Sequence, residues 1–296
     1  MGRVILNADD LGYSPAVNRA ILRAATLGTL TAASLMVNMP FAEEAVKSVR
    51  ESLPNFSLGL HFCLTSGRAV APGVKIPLLI DSCGCFRHGF TGLWRLLNSS
   101  RKKEAMEQIR VEFLAQLEKM DHFARDYGLR FDHLDSHQHV HVFPEVFDIL
   151  EGESRKRNLV LRVPEERFGS GKRILNRFSA WFPSGLLKKG ILDHHLRKRT
   201  QAVGYFGILD TGKMDKRALS CIFEAIARSP SAKVYEINTH PSEKPVSPDQ
   251  ELHTDNSSPG DIEFFRSPWR QREYAALLDP ELKATVERNG TQFVGF

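Results

Sequence analysis

The pattern of apolar and polar positions begins with a strand, a loop and a helix. Residues 4–6 form a short apolar run of strand type, and the polar residues 7–10 follow it. Ser14 followed by Pro15 is typical of a helix start, with serine as the cap and proline at the first helical position. Apolar residues then recur at helical spacing as far as Gly28, which suits the position just past a helix end. This stretch therefore predicts one βα unit.

The same alternation continues along the chain. The apolar runs that predict further strands cover residues 32–37, 57–62, 131–137, 160–163, 203–206 and 234–239. Amphipathic patterns predict helices over residues 42–53, 103–127 and 216–228, and a further helix that opens at Pro144. The chain ends with segments at 274–278 and 281–288 and a final apolar run at 293–296. Strands that alternate with helices predict a parallel sheet. About seven or eight such units favour an α/β fold with a closed or nearly closed barrel, in a single domain over residues 1–296.

Two segments interrupt the regular pattern. Residues 66–100 contain glycine, proline and the pair Cys83 and Cys85, and we predict an irregular insertion there, a feature that is more often functional than decorative. A second predicted insertion covers residues 165–200, and within it residues 168–200 are basic and also contain large apolar side chains. Such a segment could contact a membrane surface peripherally or bind an acidic or lipid-linked substrate. The alternative is a solvated helical face that covers the barrel.

The composition limits the class of protein. A chain of 296 residues with 42% hydrophobic residues can bury a substantial core, and the net charge of +5 permits binding of phosphate or acidic lipid without requiring it. No segment approaches the roughly 20 uninterrupted apolar residues of a membrane span, and we expect no signal peptide. The four cysteines lack disulfide or zinc spacing. We therefore expect a cytoplasmic protein with reduced thiols, no nucleic-acid partner and a homodimer as an open option.

Titratable side chains stand where four of the predicted strands end. These residues are Asp9 with Asp10, His61, Asp135 with His137, and His240. In a βα barrel the carboxyl ends of the strands meet at one mouth, so residues that are remote in sequence become neighbours there. Convergence of imidazoles and carboxylates from four strands is a sharper signal than any single motif. The sequence therefore predicts a functional site at this mouth.

The residue types at these strand ends favour a divalent metal ion. Adjacent carboxylates such as Asp9 and Asp10 repel each other, and a nearby cation keeps both ionised. Histidine nitrogen together with carboxylate oxygen suits zinc, cobalt, nickel or manganese, and three protein ligands would leave positions for water and substrate. A free carboxylate beside the ion could act as a general base and a nearby histidine as a general acid. In isolation, Asp9 and Asp10 could instead form a helix-capping turn.

Five polar titratable residues alternate in one short segment: His133, Asp135, His137, His139 and His141. On an extended strand they would share one face, and at about 3.3 Å per residue its ends would lie roughly 26 Å apart. One ion can use at most a neighbouring pair, so the others must contact substrate, orient ligands or pack. Arg162, at the end of a later strand, could bind a carboxylate or support the base.

Four ordered motifs resemble those of the YdjC-like carbohydrate deacetylases, a family that includes chitooligosaccharide and hopanoid-associated deacetylases. They read NADDLG at residues 7–12, GLHFCLT at 59–65, HLDSHQHVH at 133–141 and THP at 239–241. The resemblance extends from residue 3 to about residue 241. It implies a distorted TIM-like barrel of the polysaccharide-deacetylase kind. It also implies hydrolysis of the N-acetyl group of an amino sugar, carried by an oligosaccharide or a lipid, with release of acetate.

The resemblance also implies roles for individual residues. It makes Asp10, His61 and His137 the metal ligands, Asp9 the general base and His240 the general acid. Magnesium is the ion in some descriptions of the family, whereas two histidine ligands favour zinc or another transition ion. Leu11 stands where phenylalanine is usual, and Gln138 stands where another histidine is frequent.

Two other classes of function remain open at this point. A metal-dependent phosphoesterase or amidohydrolase would use the same ligand types, but the amidohydrolase pattern places H-x-H at the end of the first strand, where this chain has Asp9 and Asp10. A catalytically idle sugar-binding or lipid-binding module would not need Asp9. The intact set of acid, base and ligand residues favours the deacetylase.

Overall fold

The computed structural model describes residues 2–164, 203–208, 210–228, 234–244 and 263–296. Within these residues a parallel sheet lies at the centre, in the order β5-β4-β3-β2-β1-β7-β6, and β8 pairs with the beginning of β1. Its strands are β1 Arg3–Leu11, β2 Ala32–Leu35, β3 Ser57–Phe62, β4 Phe131–Ser136, β5 Val160–Leu161, β6 Val203–Phe206, β7 Val234–Thr239 and β8 Gln292–Phe293. The parallel sheet and the sequential order of β1 to β5 agree with the prediction.

Helices connect the strands and cover the sheet. They are α1 Pro15–Leu27, α2 Ala42–Ser52, α3 Phe90–Leu97, α4 Lys102–Tyr127, α5 Pro144–Arg157, α6 Lys216–Ala227, α7 Pro268–Leu277 and α8 Pro280–Arg288. The predicted start of α1 is confirmed, since the Ser14 hydroxyl accepts a hydrogen bond from the backbone N–H of Val17 and Pro15 is the first helical residue. No helix in the described part of the chain is long and apolar enough to cross a membrane.

The sheet is a curled half-barrel, which corrects the prediction of a closed or nearly closed barrel. Among the described residues, β5 pairs only with β4 and β6 pairs only with β7, so these two strands are open edges. β5 consists of only two residues, Val160 and Leu161, and offers little backbone for a further neighbour. The predicted basic insertion over residues 165–200 lies outside the described residues.

The central strand β1 is longer than the sequence pattern predicts. The polar residues 7–10 were expected to end it, but it continues to Leu11, and every residue from Val4 onward is buried. The neighbours on both sides of β1 are β2 and β7, and helices cover the sheet, so even polar residues of this strand are shielded from water. Val4, Leu6 and Ala8 belong to the main apolar core, whereas Asn7 and Asp9 alternate with them and carry polar groups to the other side.

The segment 66–100 is more ordered than the predicted irregular insertion. It contains α3 and a bridge between Arg68 and Cys85. The first part of the segment is bound to α4, because the buried Glu112 carboxylate accepts hydrogen bonds from the backbone N–H groups of Val70 and Ala71. This segment therefore packs against α4.

Candidate metal and catalytic site

The predicted site residues meet at the carboxyl ends of four strands. In the sheet, Asn7 is in register with Asn238 of β7, and His61 of β3 is in register with Asp135 of β4. A shift of register between Ala8 and Leu11 interrupts the pairing of β1 with β2 at the position of the two aspartates. Asp10 there has a φ of 70°, an uncommon value for a residue other than glycine. This bulge explains how consecutive strand residues, which normally face opposite sides, both approach His61.

Asp10, His61 and His137 form a buried cluster that could hold a metal ion. Asp10 Oδ1 lies 3.6 Å from His61 Nε2 and 3.1 Å from His137 Nδ1. One ligand atom from each of the three residues can be chosen so that all lie within 4.8 Å of one another. The structure therefore brings together the three residues that the resemblance implied as ligands.

A carboxylate fixes the orientation of the His61 ring. His61 Nδ1 lies 2.6 Å from Asp135 Oδ1, which leaves Nε2 facing Asp10. The hydroxyl of Ser34 in turn donates a hydrogen bond of 2.6 Å to Asp135 Oδ2. A histidine that binds a metal through one nitrogen usually donates its other N–H to such a carboxylate. Asp135 therefore fixes the His61 ring with Nε2 directed at Asp10.

The donor atoms fit a divalent ion. Asp10 Oδ1 is buried and faces two imidazole nitrogens, and a cation shared with them would offset the cost of burying the carboxylate. Two imidazoles and one carboxylate are a ligand set of zinc and related transition ions. Asp9, His61 and Asp135 also lie close enough for a second candidate group. We favour the first group because Arg162 already occupies oxygens of both Asp9 and Asp135.

Asp9 has the opposite environment, since hydrogen bonds occupy both of its oxygens. Arg162 donates to Asp9 Oδ2 and Oδ1 at 3.0 and 2.9 Å, Asn7 donates to Oδ1 at 2.9 Å, and Asn238 donates to Oδ2 at 2.8 Å. Burial alone would raise the pKa of Asp9, but the charges of Arg162, His61 and His240 outweigh it and hold the pKa well below its usual range. Asp9 is therefore an ionised carboxylate in a fixed orientation.

Arg162 connects the Asp9 environment to the His61 ligand. Besides Asp9, its guanidinium donates from Nε to Glu236 at 2.8 Å and its Nη2 lies 2.7 Å from Asp135 Oδ2. Its side chain is almost completely buried. The sequence prediction that Arg162 could bind a carboxylate agrees with these contacts.

His240 completes the site from the end of β7. Its Nε2 lies 3.8 Å from Asp9 Oδ2, and its backbone N–H donates a hydrogen bond of 2.6 Å to Glu273 of α7. Burial lowers the pKa of His240 to about 4, and burial raises the pKa of Glu273 to about 7. The His240 imidazole is therefore neutral at pH 7 before substrate binds.

The chain turns sharply after Ser136, so the alternating run is not one extended strand. Residues His137–Val142 form a kinked 3-10 turn, with φ of 53° at Gln138 and 52° at His139. The prediction of a common strand face for all five alternating residues is therefore wrong beyond Ser136. The turn places His137 in the metal cluster and directs the His139 ring towards His141, with ring centroids 6.0 Å apart.

His139 and His141 are buried imidazoles beside the charged cluster. His139 Nδ1 and His141 Nε2 have no hydrogen-bond partner within the described residues, whereas His141 Nδ1 is hydrogen-bonded to the Ser136 hydroxyl. Burial is the main cause that lowers the pKa of His141 to about 3, and it also lowers the pKa of His139 well below its usual value. Both imidazoles are therefore neutral hydrogen-bonding groups.

His133 lies farther from the ligands than the alternation suggests. Its ring stacks on Phe296 at a centroid distance of 4.0 Å, and its Nδ1 lies 2.7 Å from Asp132. A Cβ atom at Gly59 would lie 2.2 Å from the His133 ring, so this glycine makes room for the imidazole. His133 reaches the site only indirectly, because its Nε2 lies 3.2 Å from the Ser34 hydroxyl that contacts Asp135.

The sequence prediction missed several residues of the site. Glu236 and Asn238 alternate with His240 along β7, a pattern that could have revealed them. Arg270 and Glu273 lie on α7, near the C-terminus and outside the four motifs. Arg270 donates a hydrogen bond of 2.9 Å to Asp10 Oδ2, and nothing in the local sequence pattern indicates that contact.

Comparisons with curated proteins find relatives that act on carbohydrates. The chain is 40% identical over 159 residues to a carbohydrate deacetylase of Geobacillus stearothermophilus, an alignment that covers 53% of this chain and 58% of the relative. It is 34% identical over 160 residues to a chitooligosaccharide deacetylase of Proteus mirabilis, which covers 54% and 58% of the two chains. These matches therefore span little more than half of the relatives' length.

The whole chain is similar to a solved structure and to one family. A crystal structure from Enterococcus faecalis V583, provisionally described as a cellobiose-phosphate cleavage protein, matches with a TM-score of 0.73 and 25% identity and covers 99% of this chain and 97% of that one. The family model described as YdjC-like protein matches residues 3–288. This match extends beyond the four motifs to include α7 and α8, and the chain belongs to the YdjC-like family.

Proposed function

We propose that this protein is a metal-dependent hydrolase that removes the acetyl group from an N-acetylated amino sugar and releases acetate. The observation that carries the proposal is the buried cluster in which Asp10 Oδ1 faces His61 Nε2 at 3.6 Å and His137 Nδ1 at 3.1 Å, beside the ionised Asp9. The deacetylase descriptions of the relatives from Geobacillus stearothermophilus and Proteus mirabilis support it.

In this proposal Asp10, His61 and His137 hold one divalent ion. The two imidazoles favour zinc or another transition ion over magnesium, which prefers oxygen ligands. When bound, the ion would polarise the acetamide carbonyl and acidify a water molecule. The orientation of His61 by Asp135 prepares the site for the ion before it binds.

Asp9 accepts the proton of the attacking water. Its bidentate contact with Arg162 fixes the carboxylate, and its depressed pKa keeps it ionised at neutral pH. The same depressed pKa makes Asp9 a weak base, so the transfer depends on an acidified water. The water oxygen then forms a bond to the acetyl carbon.

His240 returns the proton to the departing amine. Because His240 is neutral before the reaction, the proton that it donates must first come from the water, and Asp9 Oδ2 is 3.8 Å from its Nε2. The carbon–nitrogen bond breaks, the amine nitrogen takes this proton, and the acetyl carbon keeps the water oxygen as acetate. The bond of the His240 backbone to Glu273 would hold the imidazole in place during this step.

The remaining predicted residues would bind or orient the substrate. His139 and His141 offer neutral nitrogens, unpaired within the described residues, that can hydrogen-bond sugar hydroxyls. Arg162 and Asp135 support Asp9 and His61. His133 acts at a distance, through Ser34.

An acetate-release screen tests the proposal. Purified protein is incubated with chito-oligosaccharides, N-acetylated disaccharides and an N-acetylglucosaminyl lipid, with added zinc and with a chelator. We expect acetate from at least one substrate class, loss of release with chelator and recovery when the ion is restored. The D9N variant is the control for contaminating activity. Absence of acetate from every substrate by zinc-loaded protein would overturn the proposal.

A further inference from the structure

Arg270 is a completely buried arginine on α7, next to Asp10. Its side chain has 0% exposure, a rare state for an arginine. The guanidinium carbon lies 5.1 Å from the ring centroid of Phe264 and 4.5 Å from that of Phe265. Phe265 stacks in turn on Tyr13, with ring centroids 3.3 Å apart. The guanidinium is therefore held in one place by packing as well as by charge.

The contact with Asp10 uses only one oxygen of the carboxylate. Arg270 Nη1 donates to Asp10 Oδ2 at 2.9 Å, whereas Asp10 Oδ1 faces His61 and His137. Arg270 Nε and Nη2 have no hydrogen-bond partner within the described residues. The arrangement differs from that of Arg162, which contacts both oxygens of Asp9.

We propose that Arg270 is a positioning residue that restricts Asp10 to a single ligand oxygen. A free carboxylate can bind an ion through one oxygen or through both. With Oδ2 held by a guanidinium that packing fixes in place, only Oδ1 can reach the ion, and a position beside the ion stays available for water and substrate. This inference rests on the proposed function, since it assumes that Asp10 is a metal ligand.

Metal affinity alone does not test this role, because two effects of removing Arg270 oppose each other. Loss of a positive charge near the site favours a divalent cation. Loss of the hydrogen bond to Oδ2 removes the orientation of the ligand. The number of atoms that coordinate the ion responds only to the second effect, so coordination is the quantity to measure.

Cobalt(II) provides that measurement, because its visible absorption bands weaken when the coordination number rises. We would titrate the full-length wild-type protein and the variants R270Q, R270K and R272Q with Co²⁺. Arg272 is an exposed arginine on the same helix, whose guanidinium lies 4.3 Å from the Trp269 ring, and it is the matched control. Circular dichroism and thermal unfolding check that each variant is folded.

The proposal expects weaker bands in R270Q, where Asp10 Oδ2 is released, and wild-type bands in R272Q. R270K should recover part of the wild-type behaviour, because an ammonium group can still donate to Oδ2 but lacks the planar guanidinium that packs on Phe264 and Phe265. Loss of cobalt binding in folded R270Q with recovery in R270K also supports the role, whereas loss in both variants contradicts it. A wild-type spectrum from folded R270Q with one bound Co²⁺ overturns it. If R270Q does not fold, the variant F264L replaces it, because the smaller side chain removes a packing contact of the guanidinium and leaves its charge in place. Weaker bands in F264L support the proposal, and unchanged bands overturn it.

The experiment separates this inference from the proposed function. A wild-type protein that binds Co²⁺ with the expected variant spectra but releases no acetate would contradict the deacetylase activity and leave the role of Arg270 intact. Acetate release together with a wild-type spectrum in R270Q would support the deacetylase activity and contradict the role of Arg270.

Discussion

Asp9 and Asp10 are neighbours in sequence, yet the protein surrounds them differently. Both oxygens of Asp9 accept hydrogen bonds, from Arg162, Asn7 and Asn238. Asp10 Oδ2 accepts a hydrogen bond from Arg270, whereas its buried Oδ1 faces the imidazole nitrogens of His61 and His137. A buried carboxylate oxygen that faces two imidazole nitrogens is suited to share a divalent cation with them. Two identical side chains therefore have environments that suit the two proposed roles, an anchored base for Asp9 and a metal ligand for Asp10.

The two environments are nevertheless connected. Arg162 contacts Asp9 and Asp135, and Asp135 orients the His61 ring towards Asp10. A change on one side therefore reaches the other by a short path of hydrogen bonds. Substitutions can nevertheless separate the two proposed roles, and the largest effect is expected at Asp9.

Replacing Asp9 with asparagine should abolish most of the catalysis and leave metal binding intact. We expect acetate release to fall by about 10²–10⁴-fold, the usual contribution of a general base, because an amide cannot take the proton of the water. The zinc content, measured by elemental analysis, should stay at the wild-type level. Surviving turnover would show that Asp9 is not the base, and loss of zinc would show that it is a ligand.

Replacing His61 or His137 with alanine should weaken metal binding. Loss of a residue that only hydrogen-bonds a ligand typically lowers metal affinity by roughly 10–100-fold. We expect the affinity for zinc, measured by competition with a chromophoric chelator, to fall by more than that. H122A is a suitable control, because His122 lies on α4 with a side chain that is 52% exposed. Wild-type affinity in either variant removes that histidine from the ligand set.

Replacing Asp135 with asparagine should disturb the orientation of His61 without removing any of the three proposed metal ligands. His61 loses its charged partner at 2.6 Å, and we expect zinc affinity to fall by about 10–100-fold. The same chelator competition measures the effect. An unchanged affinity would mean that packing alone orients His61.

The buried imidazole of His141 should contribute to loss of stability in acid. Burial lowers its pKa from the ordinary value of about 6.5 to about 3, so below pH 6.5 the unfolded chain binds the proton more readily than the folded protein. The contribution is present above pH 6.5 and is lost as the pH falls, by roughly 2 kcal/mol at pH 5. Urea unfolding at pH 7 and pH 5 should show a smaller difference in free energy for H141Q than for the wild type. An equal difference would mean that His141 is not neutral in the folded protein.

Much of the architecture could be predicted from the sequence, because local patterns determine it. The start of α1 follows from Ser14 and Pro15, and the limits of β3 follow from an apolar run between polar positions. The open sheet could not be predicted, since it depends on how β5 and β6 pair. Strand pairing between distant segments leaves no local signature.

The site shows the same division. Asp10, His61 and His137 stand at strand ends, where the convergence of parallel strands makes their proximity predictable. The turn after Ser136 could not be predicted, because positive φ at Gln138 and His139 is imposed by tertiary contacts and not by glycine. Arg270 is the clearest omission, since a basic residue on a C-terminal helix looks like an ordinary surface residue until the fold buries it against Asp10.

The most direct test of the account is anomalous diffraction from a crystal of the protein soaked in zinc. The account predicts one strong anomalous peak within bonding distance of Asp10 Oδ1, His61 Nε2 and a ring nitrogen of His137, with both oxygens of Asp9 still bound to Arg162. A peak elsewhere, or a zinc ion coordinated by Asp9 in place of Asp10, would contradict it.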